Sequence, residues 1–415
     1  MFKSSYRRVE YHGLEKIPKD GAVIYAPNHV NTLMDALAVL AMDKQAKVFV
    51  ARADIFKNPL MLKFLTFLKM LPINRKRDGM ENLAKNEEIN NIVVDVLHDR
   101  IPFCIFPEGT HSHGHSLLPL VKGIFRIALQ ANDTFGDKMP LYLVPMGIEY
   151  GHFYRYRSSL LVQIGEPINV TRFIKESPDL SVPQQISVLR NQLSEALKKV
   201  ILYIPDDANY QATWELSQLY GKEQHKRLKL CGDSLINRFI AVKEMIRNVT
   251  ALLTSDPLKS QPLFEMAADF YRQRHTLGIG IDSVLKAHIR WTIFWRALLL
   301  ILGFPLFVCT ATATAPVTLL SVWLCSKFKD KAFHNTVRYL MALALLPVFL
   351  LLVGIAVAIW FSSIGGILFA VLFIPSFFFV HEYLRLIRLC ISDTKWLMNK
   401  NLHRLFQQII LYKQD

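Results

Sequence analysis

Asn28-His29-Val30-Asn31-Thr32-Leu33-Met34-Asp35 follows directly on a short apolar run, Ala22-Val23-Ile24-Tyr25-Ala26. The run reads as a buried strand. Pro27 and Asn28 break it, and Asn31 or Thr32 is placed to cap a helix from Leu33 to about Met42, rich in Ala and Leu. A histidine therefore stands at a strand-to-helix turn, with a carboxylate in the first turns of the helix. An imidazole there is open to substrate. A carboxylate on its other nitrogen fixes the tautomer and stabilises the cation formed on proton uptake.

Pro102-Phe103-Cys104-Ile105-Phe106-Pro107-Glu108-Gly109-Thr110 is a second buried strand, ending in a carboxylate, a glycine and a hydroxyl. Lys47–Ala51 reads as another strand, Arg8–His12 as an edge strand, and Leu161–Pro167 as a late strand and turn. Asn58-Pro59 opens a helix over Leu60–Leu71 that is apolar on nearly every face, relieved by Lys63 and Lys69. It is too short to span a bilayer and is either buried or interfacial. Glu81 to about Asp99 is a polar amphipathic helix, and another opens near Gly123. Alternating strands and helices up to residue 170 predict an α/β layer structure. The alternating His111, His113 and His115 lie in a Gly- and Ser-containing loop, without the second cluster that a zinc set needs, so no metal is expected.

The Asn-His…Asp element, followed at domain distance by Phe106-Pro107-Glu108-Gly109-Thr110, resembles the PlsC-like glycerolipid acyltransferase family. Leu71-Pro72-Ile73-Asn74-Arg75 between them looks like the family's arginine-bearing block, and Leu143-Val144-Pro145-Met146-Gly147 like its proline-bearing strand block. The resemblance covers roughly residues 9 to 200. It implies a mixed sheet flanked by helices, and transfer of a fatty acyl group to 1-acyl-sn-glycerol 3-phosphate, giving phosphatidate. The donor is acyl-CoA or acyl carrier protein, and no cofactor is needed because the acceptor's own hydroxyl attacks the thioester. His29 is then the base and Asp35 its orienter. Arg75 is the candidate phosphate clamp. Glu108 holds an acceptor hydroxyl or a basic partner of the clamp, while Gly109 and Thr110 let backbone approach the ligand. Three departures stand out. Five residues separate His29 from Asp35 where four are usual, and members with the longer spacing include enzymes acting on glycerol 3-phosphate. His111 stands where Arg often follows Glu-Gly-Thr, which leaves more of the clamp to Arg75 and Lys122. No long apolar helix precedes His29. Glycerol 3-phosphate and an amino-acid lysolipid are the alternative acceptors, and a non-catalytic lipid-binding scaffold is the rival of another class.

The 415 residues are 52% hydrophobic and the mean hydropathy is +0.23, high for a soluble protein. Lys plus Arg number 49 against 34 acidic residues, net +15. Apolar spans, and the lack of zinc-finger or aromatic-basic RNA patterns, make lipid rather than nucleic acid the partner. Five scattered cysteines are no disulfide framework and suit a reducing compartment. Residues 1–8 carry no apolar signal region. The expected organisation is an acyltransferase domain (1–181), a helical region (182–288), a membrane region (289–388) and a basic C-terminal tail (389–415). In the membrane region a straight helix over Ala297–Cys325 would be about 44 Å long against a hydrocarbon core of about 30 Å. Pro305 and Pro316 flank its weakly apolar middle, so a re-entrant hairpin is expected over 297–325. Transmembrane helices are expected over 340–361 and 364–380. The basic flanks then gather on one side, with the catalytic domain facing the cytoplasm.

Overall fold

An eight-stranded mixed sheet underlies the N-terminal part of the chain. The computed structural model describes residues 2–74, 80–112, 114–360 and 363–412. The strands are β1 (Arg8–His12), β2 (Ala22–Pro27), β3 (Val48–Arg52), β4 (Met70–Ile73), β5 (Phe103–Cys104), β6 (Leu141–Tyr150), β7 (Ser159–Ile164) and β8 (Ile168–Asn169). Their order is β1-β7-β6-β2-β5-β3-β4, with β8 also on β6. From β6 through β2, β5 and β3 to β4 every pairing is parallel, while β7 runs antiparallel to β6. Every residue of β2 is buried, which is why its sequence is an unbroken apolar run. Because β2 and β5 are parallel neighbours, the loops leaving their C-terminal ends lie side by side. That is where ligands bind in sheets of this kind.

The helices are α1 (Thr32–Leu40), α2 (Pro59–Phe67), α3 (Met80–His98), α4 (Gly123–Phe135), α5 (Val170–Glu176), α6 (Val182–Val200), α7 (Tyr210–Arg227), α8 (Leu235–Ser255), α9 (Pro257–Leu277), α10 (Ile281–Val284), α11 (Ile289–Lys327), α12 (Ala332–Leu340), α13 (Leu346–Trp360), α14 (Ser363–Met398) and α15 (Lys400–Tyr412). One face of the sheet packs on α3, α4 and α6 through Leu97, Ile124, Ala128, Leu189 and Leu193. The other face packs on α1 through Met34 and Ala38, and takes in Tyr339 from α12. A second core joins α7, α8, α9 and α15 around Phe264, Phe270, Trp396 and Leu402.

Four expectations are corrected. The helix expected over Leu60–Leu71 stops at Phe67. Lys69 turns the chain with a left-handed φ of 57°, and Leu71-Pro72-Ile73 becomes part of β4, paired with β3. Leu62 and Phe67 of α2 are exposed, as an interfacial helix requires. Next, α6 was grouped with the helical region but packs on the sheet through Leu189, Leu193 and Leu197. Third, the expected basic C-terminal tail is helical over its described residues 389–412: α14 runs to Met398, and α15 seats Leu402 and Ile409 in the second core.

The fourth correction concerns the hairpin over 297–325. These residues lie inside α11, one helix of 39 residues. Pro305 and Pro316 each remove one N–H, but the helix continues through both. The threonines between them are satisfied within it: Thr310, Thr312 and Thr314 donate to carbonyls four residues back at 2.8, 2.8 and 2.9 Å. The weakly apolar middle therefore has no need to leave the helix. Ile289–Lys327 and the apolar helix Ala332–Trp360 are each long and apolar enough to cross a membrane. Both ends of α11 nevertheless stay with one body. Ile289 packs on the second core and Arg296 ion-pairs with Asp393. At the other end Asp330, in the loop to α12, bonds His111 at 2.6 Å. The two cores are themselves joined through Leu161, Leu202, Phe239 and Ile246.

Candidate active site

His29 sits in the turn after β2, its side chain 16% exposed. Its Nδ1 lies 2.8 Å from Asp35 Oδ2. A carboxylate only accepts hydrogen bonds, so Nδ1 carries the proton and Nε2 is left as the basic atom. Asp35 is fully buried. Its Oδ2 also accepts the N–H groups of Val30 (2.8 Å) and Asn31 (2.7 Å), and its Oδ1 accepts from the Tyr150 hydroxyl at 2.7 Å. Asp35 thus caps its own helix start, the task expected of Asn31 or Thr32; Asn31 makes no side-chain cap. Thr32 adopts a left-handed φ of 43°, and its hydroxyl lies 3.0 Å from that of Thr336 in α12. The five residues between His29 and Asp35 form this turn and the start of α1.

Glu108 is buried, and each oxygen has a backbone donor: His29 N–H on Oε1 (2.8 Å) and Leu118 N–H on Oε2 (2.9 Å). The Ser112 N–H returns to the His29 carbonyl at 3.0 Å, so the two loops are stapled from both sides. Burial pushes the Glu108 carboxyl up to about 7, against the pull of those two N–H groups. A raised native pKa stabilises the fold fully below the unfolded value, and that contribution is lost as pH rises through about 7. Melting curves of the native protein are expected to fall between about pH 5 and 8 on this account. Glu108→Gln should flatten that fall while being less stable overall, because its amide nitrogen cannot accept an N–H. An unchanged slope would detach it from Glu108.

Gly109 has a φ of +66°, and a Cβ there would stand 3.1 Å from Val121 Cγ1. Any side chain is strained at that turn. Thr110 is exposed beside it, and Lys122 is exposed just ahead of α4. Arg75 lies outside the described residues, as does His113. His111 and His115 serve separate partners. His111 reaches Asp330, while His115 stacks on Trp214 at 4.0 Å with its Nδ1 3.5 Å from Glu149.

Three residues escaped the sequence reading. Phe106 stacks on the His29 ring at 4.1 Å and 22°, fixing the imidazole plane. Asn28 pairs like a strand residue with Ile148: its Nδ2 donates to the Ile148 carbonyl (3.2 Å) and its Oδ1 accepts the Ile148 N–H (2.7 Å). Tyr150, at the end of β6, donates to Asp35. Burial first, and then the Asp35 charge, push its phenol well above the ordinary value, so it remains a donor. The Asn immediately before His29 was a usable signal, whereas nothing local marks Tyr150.

The acyltransferase family model matches residues 8–149, the stretch that holds His29, Asp35 and Glu108. Residues 8–149 thus carry an acyltransferase domain. Over 121 residues it is 33% identical to glycerol-3-phosphate O-acyltransferase 2 of Saccharomyces cerevisiae, covering 29% of this chain and 16% of that protein. Over 150 residues it is 31% identical to the 1-acyl-sn-glycerol-3-phosphate acyltransferase of Cocos nucifera, covering 36% of this chain and 44% of that protein. The chain thus spans less than half the length of these relatives. The crystal structure of the 1-acyl-sn-glycerophosphate acyltransferase PlsC from Thermotoga maritima aligns with a TM-score of 0.35 at 21% identity, over 48% of this chain and 73% of that one.

Proposed function

We propose that the protein is a membrane-bound acyltransferase that moves a fatty acyl group from acyl-CoA or acyl carrier protein to 1-acyl-sn-glycerol 3-phosphate. The observation that carries this reading is the His29–Asp35 pair, which leaves Nε2 of a partly exposed imidazole as the basic atom. Nε2 takes the proton of the acceptor hydroxyl as its oxygen bonds to the thioester carbonyl carbon. The C–S bond breaks, the thiolate leaves, and the proton on Nε2 passes to the sulfur. Asp35 and Phe106 hold the ring throughout, and Glu108 keeps the His29 loop in place rather than facing the acceptor. The test is thioester consumption by the purified full chain with each acceptor in turn. Turnover with 1-acyl-sn-glycerol 3-phosphate supports the reading, and turnover with neither that acceptor nor glycerol 3-phosphate ends it. Glycerol 3-phosphate is the second reading, supported by the similarity to the yeast glycerol-3-phosphate acyltransferase and by the longer His29-to-Asp35 spacing.

Arg75 remains the proposed acceptor clamp. Loss of one charge-assisted contact, roughly 2–3 kcal/mol, corresponds to a fall of about 30- to 160-fold in catalytic efficiency for Arg75→Ala. The donor KM should hardly move, and normal acceptor kinetics would remove Arg75 from the site.

The membrane reading follows from the two apolar helices and from where α11 ends. A helix whose two ends stay with one body lies in the near leaflet and leaves the chain on its starting side. Exposed Trp291, Trp295 and Trp323 mark its two ends as interfacial. Lys327, Lys329, Lys331 and Arg338 then share the side of the catalytic domain, as the positive-inside rule favours for a cytoplasmic face. Lys329→Cys should react with an impermeant maleimide from the same side as the exposed Cys231. Labelling from opposite sides would require α11 to cross.

A further inference from the structure

The loop between β6 and β7 is gripped by the helices that enter the apolar hairpin. Arg338 of α12 donates from Nη1 to the Tyr154 carbonyl at 3.2 Å. The Tyr156 ring lies against His381 and Phe377 of α14, at centroid distances of 4.8 and 5.8 Å. Arg157 Nε donates to Glu382 Oε1 at 3.1 Å. Arg155 is carried between these anchors. Glu382 also receives Arg7 at 3.5 Å and Arg385 at 2.9 Å, and Arg388 follows one turn later on α14. Arg7, Arg157 and Arg385 thus share the Glu382 carboxylate, while Arg338 holds the Tyr154 carbonyl beside Arg155 and Arg388 feels the charges of Arg155, Arg338 and Arg385. Arg155 and Arg388 form no ion pair among the described residues, and both keep an accessible face.

The electrostatics record the same crowding. Burial lowers the Arg155 guanidinium, and burial followed by the charges of Arg155, Arg338 and Arg385 lowers that of Arg388. His152, in the same loop, is pushed down to about 4 by burial, Arg155 and Arg388. Like charges partly withdrawn from water repel each other unless an anion occupies the space between them. The place of the cluster says which anion. It sits where α14 leaves an apolar stretch running from Ser363 to Val380 and turns polar at His381, Glu382 and Arg385. That is headgroup level for a hairpin in a bilayer, and basic pockets between membrane helices take phosphate headgroups. Guanidinium forks match phosphate oxygens.

We propose that Arg155, Arg338 and Arg388 form a binding site for the phosphate of an acidic phospholipid, at the seam between the catalytic domain and helices α12 and α14. Its acyl chains lie along the apolar hairpin. The site lies outside the matched family region and involves neither His29 nor Arg75. The same loop reaches the catalytic turn, since Asn31 Nδ2 donates to the Phe153 carbonyl at 2.6 Å. A bound headgroup therefore also braces the wall beside His29.

The test is lipid binding by the full chain in neutral detergent, read by native mass spectrometry with no acyl donor present. Phosphatidate, phosphatidylglycerol, phosphatidylcholine and inorganic phosphate are the probes. The native protein should retain the two acidic lipids at least about tenfold more tightly than phosphatidylcholine. Arg155→Gln/Arg388→Gln should abolish that preference without changing phosphatidylcholine retention, and Arg388→Gln alone should weaken it in part. Lysine at both positions should restore most of it. No acidic-lipid preference in the native protein, or a preference that survives the double substitution, overturns the site. Inorganic phosphate displacing the lipid at equal concentration overturns its assignment to a lipid. Because no turnover is measured, this outcome is independent of whether the protein transfers acyl groups.

Discussion

His29→Ala is expected to lose about 10²- to 10⁴-fold of acyl-transfer activity, the usual worth of a positioned general base. The loss should fall on turnover, because nothing about the imidazole's place suggests that it grips the donor. The variant should still fold, since the turn is held mainly by backbone contacts. Its N–H binds Glu108, its carbonyl takes the Ser112 N–H, and Val30 and Asn31 bind Asp35. Asp35→Asn is a different lesion. The imidazole remains, but one of the two oxygens that accept from four donors becomes an amide nitrogen, so stability falls along with activity. Phe106→Leu tests the ring stack separately, as a smaller loss of turnover with unchanged folding. Near-native turnover in purified His29→Ala would overturn the assignment of the base.

Glu215→Ala is expected to cost about 3–5 kcal/mol of stability, the typical effect of leaving a buried charge without its partner. Glu215 on α7 and Arg274 on α9 form a two-pronged pair, Nε to Oε1 at 2.7 Å and Nη2 to Oε2 at 2.6 Å. Both are buried, and Arg274 also donates to the Ile279 carbonyl at 2.7 Å. Removing the carboxylate strands the guanidinium inside the second core. A lowering of the melting midpoint by roughly 6–20 °C would follow for a unit of this size. The double substitution Glu215→Leu/Arg274→Met should recover most of the loss, because no charge is then buried. If the double variant melts as low as the single one, the cost comes from packing and not from the stranded charge.

The parts of the site written in adjacent residues were legible. The apolar run of β2 and the His29-to-Asp35 spacing were enough to put the imidazole and the carboxylate together, because a buried strand running through a short turn into a helix is a local pattern. Glu108 was found as a residue, but its backbone partners were not. That its two oxygens bind the His29 and Leu118 N–H groups depends on β2 and β5 being neighbours in the sheet, which no local pattern records. Tyr150 and Asn28 are the same case, with partners more than a hundred residues away. The error over α11 had another source. Two prolines and a run of threonines mark an exit from a helix in water, but they are tolerated where backbone is shielded and hydroxyls bond to the preceding turn.

One contact reaches further than its length. His111 meets Asp330 across 219 residues of sequence, Thr32 touches Thr336, and Tyr339 fills the core behind α1. The chain that comes back from α11 is therefore part of the wall around the His29 turn. A fragment cut after residue 288 would lose the companion of His111 and a plug of its own core. The candidate site is therefore not a freestanding module, because His111, Thr32 and the core behind α1 all take partners from the chain beyond α11.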